Sequence, residues 1–264
     1  MSFTVASYNV LANAYVHYGL YRRTPKMVLD PLWRMPAVVY QVASIGADVL
    51  CLQEVEVGTF AALKYRLKSL GYGAQHARKR GGKPDGCAIF YREAAFELVA
   101  TRVIEYADGV EGQANSGHIA LIVSLRAGTR VVGVANTHLN WDPPGTPTAA
   151  KLGYRQALQL LNECQNIAPS PHGWLICGDL NATPDSDIVA LLESAGFRYS
   201  HAGFEHAYTC KVNAEAKMID YLFYSPEFRT EPQSILQISD RTVLPSSDQP
   251  SDHLPIAARF FWRN

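Results

Sequence analysis

The chain has 264 residues, 48% of them apolar, enough for one large core, and no stretch rich in Pro, Gly or Ser divides it, so a single domain over 1–264 is expected. Its 24 Lys and Arg balance 24 Asp and Glu, which argues against a long groove that neutralises many phosphates and leaves room for an enzyme engaging one strand end or a small phosphate ester. Five cysteines without C-x-x-C spacing speak against a disulfide framework or a zinc site, and the absence of any apolar run of membrane length or export-type start predicts a soluble cytoplasmic protein away from membranes, while no protein partner is read from the sequence.

Short runs rich in Val, Ile, Leu, Tyr and Phe recur along the chain as buried strands. FTVASYNV comes first, followed by a helical pattern that Asp30 and Pro31 would open, with Pro36 as an alternative first turn. The strand ADVLCLQEV leads to a second helix from Thr59 to Leu70, stopped by Gly71. Between Asp85 and His138 the sequence holds four strand candidates and no helix, among them DGCAIFYR, HIALIVSL and RVVGVANTHL. A third helix is expected from Ala149 to Ile167, and the strands GWLICGDLN, MIDYLFYS and LPIAARFFW complete the chain. Helices that alternate with strands only in places favour mixed sheets over a doubly wound parallel one. Two basic clusters, Arg22, Arg23 and Lys26, then Arg78, Lys79, Arg80 and Lys83, are as compatible with solvated loops as with a phosphate site.

Polar residues gather where the strands end: Asn9, Gln53 with Glu54, Asn136 with His138, Asp179 with Asn181, Asp220, and Asp252 with His253. Each alone has a plain explanation as a cap, a turn or an exposed carboxylate. Together they supply what phosphoester cleavage needs: hard oxygen ligands for a divalent cation, a carboxylate to activate water, and donors for the charge that builds on phosphorus. Glu54 and the amide oxygen of Asn9 suit Mg²⁺, Asp179 and Asn181 share one face of an extended segment, and His138 and His253 can donate to phosphate oxygens. Asp220 is the natural carboxylate to orient His253 and favour its imidazolium.

The ordered motifs SYNVLA, CLQEVE, KPDGCAIFYR, NTHLNWDP, CGDLNATPDS, IDYLFYS and PSDHLPI resemble the exonuclease-endonuclease-phosphatase family, and within it the branch of deadenylases, nocturnin and the Angel proteins, to which LYRRTP and DPLWRMPAVVYQV add an Angel-like character. The resemblance implies an α/β fold, a four-layer sandwich of two mixed sheets flanked by helices, with the site at one end of the sheet pair. It implies Mg²⁺, replaceable by Mn²⁺, held by Glu54 with Asn9 and with Asp252 as a candidate ligand of a second ion. Asp179 would then activate water, Asn181, His138 and His253 would hold the phosphate, and Asp220 would orient His253.

Pro143 matches the proline on which that branch stacks an adenine, but the opposing aromatic is replaced by Glu215 or a neighbour, which weakens a poly(A) preference. The Angel-like motifs point to another reaction, opening and removal of a 2′,3′-cyclic phosphate at an RNA 3′ end. Trp141 and Tyr91 would stack on the last nucleotide, Lys83 or Arg92 would offer charge, and Asp85 joins this substrate-binding set, although Tyr91 and Arg92 continue a strand and could serve packing alone. A 3′-to-5′ exoribonuclease, a phosphatase or phosphodiesterase of small nucleotide or sugar phosphates, and a DNA nuclease share the same machinery. A catalytically inactive RNA-binding module is a different class, and it conflicts with a full set of acidic and histidine positions.

Overall fold

A computed structural model describes residues 2–109, 114–167, 170–204 and 207–263, so the two ends of the expected 1–264 domain, Met1 and Asn264, lie outside the described residues. In chain order the elements are β1 (Ser2–Asn9), α1 (Lys26–Leu29), α2 (Pro31–Ile45), β2 (Val49–Gln53), α3 (Val57–Lys68), β3 (Tyr72–Arg78), β4 (Gly86–Arg92), β5 (Glu97–Glu105), β6 (Ile119–Ala127) and β7 (Arg130–His138). They continue with α4 (Leu152–Gln165), β8 (Gly173–Asp179), α5 (Asp187–Ser194), β9 (Arg198–Tyr199), β10 (Cys210–Val212), β11 (Glu215–Lys217), β12 (Asp220–Tyr224), β13 (Phe228–Pro232) and β14 (Ile256–Trp262).

Two six-stranded sheets form, ordered β13-β14-β1-β2-β4-β3 and β5-β6-β7-β8-β12-β9, with β10 and β11 as a separate hairpin. Each sheet has a single parallel pair, β1 with β2 and β7 with β8, among antiparallel neighbours. Because parallel strands end together, the residues Asn9, Gln53, His138 and Asp179 all arrive at one end of the sandwich.

The layers follow from strand alternation. In β1, β2 and β4, the side chains of Val5, Val49, Cys51, Cys87 and Ile89 join the core shared with the second sheet, whereas Ala6, Tyr8, Leu50, Leu52, Ala88 and Phe90 face outward under Val38, Val42, Leu63 and Leu67 of α2 and α3. Leu160 and Leu161 of α4 and Leu192 of α5 pack with the second sheet. The result is the expected four layers, helices, sheet, sheet, helices. Near the site the apolar core gives way to a polar stitch: Gln53 Nε2 donates to Asn136 Oδ1 at 2.7 Å, and Asn136 Nδ2 donates to the carbonyls of Leu52 and Ala88 at 2.9 Å each. Such fully buried amides fix how the two sheets face each other.

Some local expectations shift. Asp30 caps α2, its side chain accepting from Leu32 N at 2.8 Å, and Pro31 is the first helical residue, so Pro36 lies inside the helix and does not open it. Leu32, whose carbonyl loses the amide partner that Pro36 lacks, is exposed to water. Helices α1 and α5, the latter capped by Ser186, and the strands β3, β9, β10, β11 and β13 are additions to the elements read from the sequence.

Candidate active site

The first sheet brings Asn9 and Glu54. Asn9 Nδ2 donates to Glu54 Oε1 and to Asp179 Oδ2, both at 3.0 Å, and so ties the two sheets together at the site. Its Oδ1 accepts from Leu11 N at 3.0 Å. Asn9 therefore orients two carboxylates through its nitrogen, with its amide oxygen turned to the Leu11 N–H. Glu54 Oε2 accepts from Ala12 N at 2.8 Å, and the residue sits at φ 57°. Asn181 sits at φ 50°. A left-handed backbone at a non-glycine residue costs about 1–3 kcal/mol, and the side-chain bonds of both residues hold it in place.

The second sheet brings His138, Asp179 and Asp220 onto three adjacent strands in register, His138 opposite Asp179 and Asp179 opposite Asp220. Asp179 Oδ2 lies 3.6 Å from both His138 Nε2 and His253 Nε2, while Oδ1 accepts from Asn181 N at 2.9 Å. Burial and the neighbouring charge of Asp220 push its carboxyl up to about 7, against the pull of His253 and of its hydrogen bonds to Asn181 and Asn9. His253 Nδ1 bonds Asp220 Oδ2 at 2.8 Å. Burial alone would lower the His253 pKa, but Asp220, Cys210 and Asp179 outweigh it and hold the imidazolium well above the ordinary range. His138 goes the other way. Burial, then Lys79, His118 and His253, hold it well below the ordinary value, so it is neutral.

Lys79 and Asp85 complete the site in a way the sequence did not reveal. Lys79 is buried, pairs with Asp85 Oδ2 at 2.8 Å and reaches His138 Nδ1 at 3.2 Å, while Arg78 and Arg80 on either side are exposed. Asp85, fully buried, also accepts from Tyr15 Oη at 2.7 Å, so it supports the site from behind and does not bind substrate. His118 Nδ1 bonds the His138 carbonyl at 2.8 Å, and burial followed by the charge of Lys79 lowers its pKa to about 4.

Two expected substrate contacts are corrected. Arg92 pairs with Asp48 at 3.7 Å, where β2 begins, and Tyr91 lies over Gly73, where an added Cβ would fall 2.4 Å from the Tyr91 ring. Both occupy the end of β4 away from Asp85, and their role there is packing. Beside His253, Asn181 and Asp252 opens a cavity of about 450 Å³, bounded by Trp141, Lys151 and the hairpin residues Glu215 and Lys217. Trp141 is 56% exposed, a ring open to a ligand. Pro144 lines this cavity, whereas Pro143, exposed beside it, uses its carbonyl to close a turn with Thr146. Lys83 is partly buried, and its charge reaches His118 and His138.

The donor set fits a hard divalent cation. Burial, then the charge of Asp252, oppose ionisation of Glu54, and a cation between two such carboxylates would offset both. Asp252 is itself held by Tyr21 Oη at 2.8 Å. Among the described residues, Cys210, Asp252 and His253, and also Asp179, Asp220 and His253, bring three ligand atoms within 4.8 Å of one another. Both triplets draw on His253, whose ring is held as the imidazolium and so has no free nitrogen lone pair, which leaves Glu54 with Asp252 as the candidate all-oxygen pair for such an ion.

The sequence model of the Endonuclease/Exonuclease/phosphatase family matches residues 6–253. The chain is 30% identical over 209 residues to Protein angel homolog 2 of Mus musculus, covering 75% of this chain and 38% of that protein. It is 27% identical over 325 residues to the CCR4-Not complex 3′-5′-exoribonuclease subunit Ccr4 of Kluyveromyces lactis, covering 98% and 41%. The chain thus spans about two-fifths of the length of these relatives. Its fold superimposes with a TM-score of 0.82 on ANGEL2, a 2′,3′-cyclic phosphatase, in complex with adenosine-2′,3′-vanadate, at 24% identity over 98% of this chain and 95% of that one.

Proposed function

The chain belongs to the endonuclease/exonuclease/phosphatase family, and from that premise we propose that it is a Mg²⁺-dependent phosphoesterase that acts on 2′,3′-cyclic phosphates at RNA 3′ ends. The observation that carries this reading is Asp179, a buried carboxyl poised near 7 and set 3.6 Å from the outer nitrogens of a neutral and a charged histidine, behind Asn181 and His253, which line a cavity bounded by an exposed tryptophan. A base titrating near the working pH gives the most effective proton transfer.

In this mechanism Asp179 takes a proton from a water molecule whose oxygen bonds to phosphorus. One ribose oxygen–phosphorus bond breaks, and the His253 imidazolium gives its proton to the departing oxygen. His138, neutral, and Asn181 donate to the non-bridging oxygens. Asp220 keeps His253 charged, and Asn9 holds Glu54 and Asp179 in place. Glu54 and Asp252 would hold the Mg²⁺, which supplies charge neutralisation at the phosphate. Trp141 would stack on the terminal base. A cytoplasmic setting is supported by five cysteines that are all free and buried.

The alignment with the exoribonuclease subunit, which extends over 98% of the chain, favours chain shortening as the second reading. Three labelled RNAs that share a sequence and carry a 2′,3′-cyclic phosphate, an oligo(A) hydroxyl end or a mixed-sequence hydroxyl end decide between them, with Glu54→Ala as control. Conversion of the cyclic end without shortening is the expected result. Progressive shortening of the hydroxyl-ended strands would establish the exoribonuclease, and Mg²⁺-dependent turnover that survives Glu54→Ala would overturn the metal assignment.

A further inference from the structure

Two hydrogen-bond donors converge on the ring of His138. Lys79 Nζ lies 3.2 Å from Nδ1, and Asn181 Nδ2 lies 3.1 Å from Nε2. A neutral imidazole has one acceptor nitrogen and one N–H, so it can accept from only one of them. The lysine ammonium has no acceptor capacity at all, and a charged donor makes the stronger bond. Lys79 is also held from behind: Asp85, fully buried, pairs with it at 2.8 Å and is itself fixed by Tyr15 Oη. Asn181 is the weaker, neutral donor, and one of its two amide hydrogens is already engaged by the Leu139 carbonyl at 2.9 Å. The contest therefore resolves in favour of Lys79.

We propose that Lys79, held by Asp85, is a positioning residue that fixes His138 as the tautomer protonated on Nε2 and leaves the second amide hydrogen of Asn181 for the substrate. The ring then offers an N–H on its Asp179 side, where Nε2 lies 3.6 Å from Oδ2, and both His138 and Asn181 present donors to one anionic group. Without Lys79 the proton would settle on Nδ1 and Nε2 would accept from Asn181, so that one lysine controls two phosphate donors at once. The consequence for turnover rests on the phosphoesterase reading; the tautomer itself does not.

Long-range ¹H–¹⁵N spectra of the imidazole nitrogens separate the two, with His138→Gln used to assign the signal. In the wild type, a protonated Nε2 and a bare Nδ1 are expected. The pair Lys79→Met with Asp85→Asn, which removes both buried charges together, should give a mixed or reversed pattern, and Lys79→Arg should restore the wild-type one. On cyclic-ended RNA the double variant should lower kcat about 10²-fold, with KM changed less than roughly 3-fold, and add less than roughly 3-fold in a His138→Ala background. A proton on Nδ1 in the wild type, an unchanged pattern in a folded double variant, or full additivity with His138→Ala would each overturn the proposal. Absence of wild-type turnover on RNA would sink the functional reading and leave the spectra to decide the tautomer.

Discussion

Replacing Asp179 by Asn should stabilise the fold at alkaline pH while removing activity. In the folded protein this carboxyl ionises at about 7, against 3.8 for an ordinary aspartate, because burial and Asp220 oppose its charge. Three pH units correspond to about 4 kcal/mol. The sign follows from proton uptake: between pH 4 and 7 the unfolded chain has released this proton and the folded one retains it, so stability falls as pH rises through that window and stays reduced above it. Asparagine carries no such penalty. It keeps one acceptor for the donors Asn9 Nδ2 and Asn181 N and loses another, at about 1 kcal/mol. The variant should therefore gain on the wild type by about 2–3 kcal/mol between pH 5 and pH 8, a relative rise of several degrees in Tm. Urea unfolding in the presence of EDTA at the two pH values measures this directly. Parallel stability profiles would refute the claim that Asp179 is ionised at a cost, and with it the assignment of Asp179 as the base.

The same geometry sets three further outcomes. Asp220→Asn should lower kcat about 10²–10⁴-fold with KM little altered, and the His253 ring signal should titrate at lower pH than in the wild type, because Asp220 leads the charges that raise its pKa. Trp141→Ala should weaken binding of the terminal nucleotide by about 1–3 kcal/mol and abolish the fluorescence quenching that accompanies it, with kcat for saturating substrate largely retained. Gly86→Ala would place a Cβ 1.9 Å from the Ala77 carbonyl oxygen, so β3 and β4 must separate beside the Lys79–Asp85 pair, at a cost on the order of 3 kcal/mol measurable by chemical unfolding.

The residues legible in the sequence are those whose position is set by a strand end. Asn9, Glu54, His138, Asp179 and Asp220 each follow or open an apolar run, and strand register does the rest. Lys79 escaped notice because three consecutive basic residues look like a solvated loop, and its burial depends on Asp85, six positions on, and on His138 in the other sheet. Burial alternates exposed–buried–exposed across Arg78, Lys79 and Arg80, and three basic side chains in succession carry no trace of it in the sequence. Tyr91 and Arg92 were misplaced because the motif KPDGCAIFYR spans a whole strand, and a strand carries its first and last residues to opposite ends of the sheet. The orientation of the Asn9 amide is set by the Leu11 N–H in the turn after β1, a local bond that composition does not disclose.

The pairing of strands into one parallel couple per sheet also divides the chain by how freely it can change. Of the groups assigned to the reaction, His138, Asp179 and Asp220 hang on ladder positions that a one-residue slip would turn to the wrong face. Part of the cavity wall, by contrast, comes from the segment between Trp141 and Lys151 and from the β10–β11 hairpin, which lie outside both sheets. Length and composition of the stretch from Pro143 to Ala150 can vary without moving Glu54, Asp179 or His253, whereas the hairpin is tied to the reaction centre by the Cys210–His253 bridge and by Lys211 N, which donates to the Asp252 carbonyl at 2.9 Å.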